Sequence, residues 1–425
     1  MLNRTLAPLA HKPGKIEVKQ VSSSALKNGI PVYTLKAGSQ DITRLEFIFK
    51  AGMYYQPNTL IASATNNLLE TGTKSYTADE ISEGIDFYGS FLELNVEQDH
   101  SVVTVYSLNK YLSETLKFVQ EVICEPSFPE DEFNLYITNK RQKFQINSQK
   151  VSVLARRNFT RALFGDNHPY GVDVQETDFT RVNVNEIRSF YNKHYSPANC
   201  TIIASGNVPE DTETLLENYF GAWQGAPKVH LQIDRVMFQK GHELFIQKDD
   251  AVQSAIKVGR LLFNKTHPDY CAFQVLNTIL GGYFGSRLMA NIREDKGYTY
   301  GIGSGITNLV HEGYFSISTE VGADVTRSAL QEVFFELKKL REEPVGNQEL
   351  ETVRNYILGQ FQRSVDGPFA LADKYRNIAD YGLDYSFYDR YFEIVSSVTP
   401  KQLQDLANTY LREEDMLVCV AGKKD

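Results

Sequence analysis

The chain repeats its own pattern about halfway along its length, and this duplication limits the folds that it can adopt. Residues 100–145 and residues 313–363 each read as an alternating strand, an amphipathic helix, a Pro-marked break and a second helix. In the first copy, apolar residues alternate at Val103 and Val105 and then recur at helical spacing from Leu112. A change from period 2 to period 3.6 marks a strand that feeds a helix. Two copies set half a chain apart indicate duplication of a whole domain and not a solenoid.

The two halves also open in the same way, with a strand followed by a helix. We predict strands at residues 44–50 and 254–259, and helices at residues 60–69 and 268–280, the last preceded by His267 as its cap. This mixture of meandering strands and helices predicts an α+β fold with two homologous layered α/β domains. Each domain would hold a mixed, largely antiparallel sheet with helices packed on one face.

The segment between the halves has the composition of a linker. Residues 221–245 are the part of the middle of the chain that is richest in Gly, Pro and Lys. Domain boundaries usually fall in exposed segments of this kind. We therefore assign residues 1–225 to an N-terminal domain and residues 226–425 to a C-terminal domain.

Composition and charge exclude several classes of protein and partner. The net charge is −9 and no block of Lys and Arg stands out, so we expect no nucleic-acid partner. The four Cys lie far apart without a CxxC pair, which excludes a disulfide scaffold and a Cys-rich zinc module. The longest uncharged stretch, residues 270–286, contains Gly and polar residues, so we expect no membrane span. No apolar signal core is visible near the N-terminus, and we expect a cytoplasmic protein; a leader removed earlier would place it in the periplasm or another compartment.

Residue spacing gives no recognisable metal or nucleotide site. None of the eight His residues stands four positions from another, so no His pair shares a helix face as zinc ligands would. His230 with Asp234, and His267 with Cys271, have this spacing with another ligand type, but the linker and a helix cap explain these positions equally well. A Walker-type phosphate loop and a GxSxG nucleophile elbow are also missing.

The second half contains the most informative segment, LNTILGGYFGSRLMANIREDKGYTYGIGSGI at residues 276–306. A Gly-rich break, Ser-Arg-Leu, a short helix ending in Ile-Arg-Glu, and Gly-x-x-Tyr at a strand start follow one another here. This pattern resembles the C-terminal half of the pitrilysin/insulinase family of zinc peptidases, the inverzincins, which includes mitochondrial processing peptidase. The duplicated halves and an HPYG segment at residues 168–171 extend the resemblance over nearly the whole chain.

The resemblance implies a role at the substrate for Arg293 and Tyr300, with Gly297 between them. In that family an Arg and a Tyr at this spacing reach the scissile peptide bond. The chemistry suits the role, because a guanidinium and a phenol both donate hydrogen bonds, and fixed donors stabilise the oxyanion of a tetrahedral intermediate. The alternative is a helix-end Arg and a strand-edge Tyr that are merely structural.

The first half departs from the family at the zinc motif. Active members carry H-x-x-E-H, in which both His bind zinc and the Glu is the general base. Aligned back from Gly72-Thr73, those positions fall on Ser63, Asn66 and Asn67. A neutral Ser or Asn is a poor zinc ligand, and Asn cannot accept a proton. No His occurs between residues 11 and 100, so a small shift of the alignment does not restore the motif.

The acidic third ligand of the family is missing too. It is a Glu on a later helix, and the alignment places it near residues 140–149. Residues 133–165 contain no Asp or Glu at all. The resemblance therefore implies that this chain binds no zinc and is similar to the zinc-lacking partner subunit of heterodimeric family members.

We predict from this combination the non-catalytic subunit of a heterodimeric zinc metallopeptidase. It would bind a peptide or small unfolded polypeptide as an added edge strand and supply Arg293 and Tyr300 to the zinc site of a homologous subunit that carries H-x-x-E-H. The chain would be inactive alone, with zinc expected in the partner. Two alternatives stay open: a purely structural relative, like the core subunits of respiratory complexes, and a peptide-binding homodimer without peptidase activity.

Overall fold

Each half of the chain builds one mixed sheet in the part that the computed structural model describes, residues 18–228 and 241–423. The first half contributes the strands β1 (Ser22–Ala25), β2 (Pro31–Lys36), β3 (Ile42–Phe49), β4 (Phe91–Val96), β5 (Ser101–Leu108) and β6 (Cys200–Gly206). The second half contributes β7 (Glu243–Gln247), β8 (Gln253–Leu262), β9 (Thr299–Asn308), β10 (Gly313–Gly322) and β11 (Leu417–Gly422). The strand orders are β1-β2-β6-β3-β5-β4 and β7-β11-β8-β10-β9.

Helices lie at corresponding points of both halves, between β3 and β4 and between β5 and β6 in the first, and between β8 and β9 and between β10 and β11 in the second. Those of the first half are α1 (Ile61–Asn67), α2 (Ala78–Phe87), α3 (Leu112–Cys124), α4 (Glu130–Asn147), α5 (Val151–Phe164), α6 (Val184–His194) and α7 (Thr212–Phe220). Those of the second half are α8 (Tyr270–Asn277), α9 (Thr326–Glu342), α10 (Asn347–Arg363), α11 (Pro368–Ala379), α12 (Ser386–Ser397) and α13 (Pro400–Tyr410). No helix described here combines the length and the apolar sequence that crossing a bilayer requires.

The predicted fold class is confirmed by the pairing within the sheets. The pairs β2–β6 and β7–β11 are parallel, and the other neighbours are antiparallel. Corresponding strands therefore occupy corresponding places, and β4 and β9 are equivalent edge strands. This is the α+β arrangement of two similar halves that the repeated pattern indicates.

Both sheets are covered on two faces, which corrects the prediction of helices on one face only. Every residue of β11 is buried. Val418 and Val420 pack with the helices of their own half. Leu417 and Cys419 point the other way and pack against Phe159 of α5, which comes from the first half. Alternate residues of a strand face opposite sides, so a continuously apolar strand such as β11 is the mark of a sheet buried on both faces.

The second half likewise packs on the sheet of the first half, through α11, which lies on the outer face of that sheet. Ala372 packs there with Ile48 and Ile203. The neighbouring Asp373 accepts a hydrogen bond of 2.7 Å from the Arg44 guanidinium. Each half thus contributes one helix to the sheet of the other half, α5 to the second sheet and α11 to the first. Neither sheet is fully covered by its own half.

A buried ion cluster holds α11 in this position. Arg44 and Glu46 of β3 are 5% and 4% exposed and lie 2.8 Å apart. Arg376 of α11 approaches the other Glu46 oxygen at 3.8 Å. Burial raises the pKa of Glu46, and the two arginines oppose that rise. Because an unpaired buried charge is costly, removal of either arginine is expected to loosen this contact.

Some predicted element boundaries differ from the observed ones. The strand β7 begins at Glu243, so the predicted linker, residues 221–245, extended too far; its residues 229–240 lie outside the described part. The helix predicted from residue 268 begins at Tyr270 with Asp269 as its cap, and continues beyond Asn277 as a π-helical turn, Thr278–Gly282. His267 is not the cap, although its Nδ1 accepts a 3.2 Å hydrogen bond from the Asp269 N–H. The division of the chain at residues 225 and 226 stays a prediction.

Candidate functional site

Asn66, aligned with the general base of the zinc motif, is a structural residue of α1. Its side chain is fully buried. Its amide nitrogen donates to the Asn95 carbonyl at 3.1 Å and to the Val102 carbonyl at 3.4 Å. Its oxygen accepts a 2.9 Å hydrogen bond from the Tyr195 hydroxyl. Asn66 therefore ties α1 to β4, β5 and the end of α6, and it is not a group that takes a proton from water.

The two positions aligned with the His ligands make local hydrogen bonds on the same helix. The Ser63 hydroxyl donates to the Leu60 carbonyl at 3.0 Å. The Asn67 amide donates to the Ser63 carbonyl at 2.7 Å. Side-chain bonds to the preceding turn are usual for Ser and Asn and need no ligand.

Tyr136 of α4 faces these positions with Lys140 beside it, and the sequence did not single out either residue. Burial raises the pKa of Tyr136 to about 12, and the nearby Ser63 and Asn67 side chains oppose the rise. Neither of them meets the geometry of a hydrogen bond, so the Tyr136 hydroxyl is buried without a partner among the residues described. One turn further on, the Lys140 ammonium lies 5.6 Å from the centre of the Tyr136 ring. The available signal was the i,i+4 spacing of Tyr136 and Lys140, which places both on one helix face.

These groups do not fit a zinc ion. Within residues 18–228 and 241–423, no cluster of three or more His, Cys, Asp or Glu side chains could hold a metal. Ser63 and Asn67 are neutral, and Lys140 adds a positive charge where a cation would need an acid. Burial lowers the pKa of Lys140, and the neighbouring Lys143 lowers it further. No step of catalysis by a metal held here follows from this arrangement.

Arg293 and Tyr300 come together at the edge of the second sheet. Arg293 lies in a π-helical segment, Met289–Asp295, and Tyr300 is the second residue of β9. The guanidinium carbon is 6.0 Å from the centre of the Tyr300 ring. Gly297 turns the chain between them with φ of +68°, a backbone conformation that favours glycine. The Tyr300 side chain is 94% exposed.

Phe284 completes this edge, although the sequence identified its surroundings only as a Gly-rich break. The Arg293 guanidinium carbon lies 4.5 Å from the centre of the Phe284 ring, and Phe284 is 63% exposed. A guanidinium that stacks on a ring by its face keeps its N–H edges for other partners. The exposed ion pair with Glu294, at 3.8 Å, is weak and does not occupy the guanidinium.

A cavity of about 470 Å³ lies beside Tyr300. Another cavity, of about 720 Å³, lies away from Tyr300, between α5 and α6. The smaller cavity lies between α5 and the strands β8, β9 and β10. Lys257 lines it and donates a 2.7 Å hydrogen bond to the Ser318 hydroxyl. Tyr300 therefore borders a recess in the sheet as well as its free edge.

The structure groups the candidate residues into two sets. Ser63, Asn66 and Asn67 lie together on α1, and Arg293, Gly297 and Tyr300 lie together at the start of β9. No hydrogen bond, ion pair or ring contact joins the two sets in the part of the chain described. A site that needs both sets is not assembled by direct contact within one chain.

Comparison with known proteins relates this arrangement to one peptidase family. A family model described as "Peptidase M16 inactive domain" matches residues 181–357, which include Arg293, Gly297 and Tyr300. An uncharacterized zinc protease of Rickettsia bellii (strain RML369-C) is 24% identical over 396 residues, which cover 90% of this chain and 90% of that relative.

Solved structures show that the similarity of fold covers almost the entire chain. The crystal structure of a peptidase M16 inactive domain from Pseudomonas fluorescens is 24% identical, with a TM-score of 0.87 over 95% of this chain and 98% of that one. A chain of complex III2 from Candida albicans is 14% identical, with a TM-score of 0.76 over 95% and 96%.

Proposed function

Since this chain belongs to the M16 peptidase family, we propose that it is the non-catalytic subunit of a heterodimeric zinc metallopeptidase. In this proposal it binds the peptide substrate and supplies Arg293 and Tyr300 to the zinc site of a homologous subunit that carries H-x-x-E-H. The chain alone would have no peptidase activity, and the zinc would belong to the partner.

The observation that carries the proposal is the contrast between the two sets of residues. The positions of the zinc motif are used for packing, with Asn66 bonded to two strands and Ser63 and Asn67 bonded within their own helix. Tyr300, at 94% exposure, contributes little to packing. This contrast is what the proposal expects of a subunit that has lost the zinc half of a shared site and presents the other half to a partner.

The position of Tyr300 on an edge strand supports peptide binding. β9 pairs with β10 on one side, and no strand described here pairs with its other side. The free backbone groups of an edge strand accept an extended peptide as an additional strand. Such a peptide would pass beside Tyr300 and Arg293, which could then donate hydrogen bonds to a carbonyl that becomes an oxyanion.

A purely structural role is the second candidate. The similarity in fold to a chain of complex III2 supports it, because that chain is part of a larger assembly. This candidate needs no zinc-bearing partner and gives Tyr300 no role in turnover.

Reconstitution with a zinc-bearing homologue from the same source separates the two candidates. We expect Tyr300→Phe to lower turnover of the complex by roughly 100- to 1000-fold, the usual effect of removing one oxyanion donor, without changing assembly. Tyr88→Phe, at the end of α2, is the matched control and should leave turnover unchanged. Co-elution checks that the variant still binds its partner.

Full turnover by an intact Tyr300→Phe complex would reject the shared site and favour the structural role. Self-association of this chain, with no binding to any zinc-bearing homologue, would favour a peptide-binding homodimer instead.

A further inference from the structure

The face formed by Ser63, Asn67, Tyr136 and Lys140, called here the lysine face, is rich in hydrogen-bond donors and has no acid. It lies where α4 packs against α1. The part of α4 that carries Tyr136 and Lys140 lies in the acid-free stretch, residues 133–165, and the acids of α4 are confined to its first turn. Lys140 therefore has no acid within one turn of its own helix.

The hydroxyl of Tyr136 gives an independent sign that a ligand acceptor is missing. It is buried and has no hydrogen-bond partner among the residues described. A buried donor without an acceptor is unfavourable, so an acceptor that reaches it is held firmly. Asn67 uses its amide nitrogen for the Ser63 carbonyl but retains a second N–H.

The charge and its burial specify the kind of ligand. The Lys140 side chain is partly buried and has a cationic neighbour, Lys143, but no ion pair with an acid in the described part of the chain. The Lys140 ammonium, with the Tyr136 hydroxyl and the second N–H of Asn67 as neutral donors on the same face, matches a monoanion with two acceptor oxygens. A carboxylate has this charge and this number of oxygens.

We infer that the lysine face binds a carboxylate group of a peptide, so that a positive side chain takes up an anion where active relatives would hold a metal. The inference rests on the proposed function only in taking the ligand to be a peptide. Two sources provide the same chemistry: the C-terminal carboxylate of the peptide and the side chain of an acidic residue.

Binding of labelled peptides to the full chain alone tests this inference, with neither a partner nor zinc present. One extended peptide is made as the free acid, as the C-terminal amide, and as the amide with Glu as its last residue. We expect the free acid to bind about tenfold more tightly than the plain amide, a difference of about 1.4 kcal/mol, and the preference to weaken as salt is raised.

Lys140 variants assign the preference to this face. Lys140→Gln should remove it, and Lys140→Arg should retain it because the charge remains. Lys117→Gln changes an exposed lysine of α3 in the same half and should have no effect. If the amide that ends in Glu also binds tightly, the site takes an acidic side chain as well.

Equal binding of all three peptides, no binding of any of them, or a preference that survives Lys140→Gln would overturn the inference. These outcomes are independent of the shared peptidase site, since they involve neither Tyr300 nor turnover. A complex could therefore be active through Tyr300 and yet fail this test, or the reverse.

Discussion

Arg293 and Tyr300 lie beside one another, with the guanidinium carbon 6.0 Å from the centre of the phenol ring. Their proximity depends on the turn at Gly297, because a π-helical segment ends at Asp295, two residues before it, and β9 begins at Thr299, two residues after it. At Gly297 the φ angle is +68°, and a Cβ added to this residue would meet no atom within 4 Å. A side chain at position 297 would therefore strain the backbone, although it would not clash with any neighbouring atom.

Gly297→Ala is expected to destabilise the chain by about 1 kcal/mol, because an L-residue is strained in the left-handed region. Gly305→Ala is the matched control on β9, since Gly305 has an ordinary φ and equally open space around its Cα. Urea unfolding of both variants measures the difference. Equal stability of the two variants would show that the turn does not depend on glycine.

Much of the fold, but not its interior contacts, could be predicted from the sequence. Periodicity gave the duplicated order of strands and helices, and the motif around Arg293 gave the family. Periodicity does not say which half covers a buried face, so the exchange of α5 and α11 was missed. The apolar run of β11 carried a signal for it, because such runs belong to strands buried on both sides.

The candidate site shows the same limit. Ser63, Asn66 and Asn67 could be aligned from Gly72-Thr73, but the sequence could not show that Tyr136 of α4 lies beside Ser63 and Asn67. That contact depends on how α4 packs against α1, which is a tertiary relationship. The roles proposed for Arg293 and Tyr300 likewise depend on a partner subunit, and one chain's sequence carries no information about that partner.

Restoration of the zinc motif alone is expected to fail. Catalytic zinc sites of this type use three protein ligands and a water, and the triple change Ser63→His, Asn66→Glu, Asn67→His supplies two. The new Glu would also face the Asn95 and Val102 carbonyls in a buried place, at an expected loss of about 3 kcal/mol in stability. Metal analysis after chelator-free purification and a peptide hydrolysis assay should both be negative.

The unaltered chain is the baseline for that experiment, and we expect no stoichiometric zinc in it. The double change Ser63→His, Asn67→His keeps Asn66 and should be more stable than the triple variant. One tightly bound zinc with peptidase activity in the triple variant would mean that a third ligand exists outside α1 and that our alignment is incomplete.

Limited proteolysis is expected to cut between residues 221 and 242, because this segment has the composition of a linker. The two fragments should have similar mass and should still elute together, since α5 and α11 each pack on the sheet of the other half. Size-exclusion chromatography before and after denaturation checks this. A first cut within residues 60–200, or fragments that separate without denaturant, would contradict it.

Acid should destabilise this protein through His194, the last residue of α6. The side chain is 1% exposed, packs 4.4 Å from the centre of the Phe190 ring, and has no hydrogen-bond partner on either nitrogen among the residues described. Burial, with a smaller contribution from the positive charge of Lys193, lowers the pKa of His194 to about 4. The nearby Lys50 backbone raises this pKa slightly, although it does not meet the geometry of a hydrogen bond. The folded state therefore holds the neutral ring while the unfolded chain, with a pKa near 6.5, takes up the proton.

The sign of the effect follows from this difference in pKa. Stability from His194 is complete above pH 6.5 and is lost as the pH falls from 6.5 towards 4, which amounts to about 2 kcal/mol between pH 7 and pH 5. In His194→Phe no group at this position can take up a proton, so the fall in unfolding free energy over the same interval should be smaller by about that amount. His242→Phe changes an exposed histidine and is the matched control, which should follow the unaltered chain. Denaturant unfolding at both pH values gives the comparison, and identical losses in the two variants would mean that His194 is protonated within the folded state at pH 5.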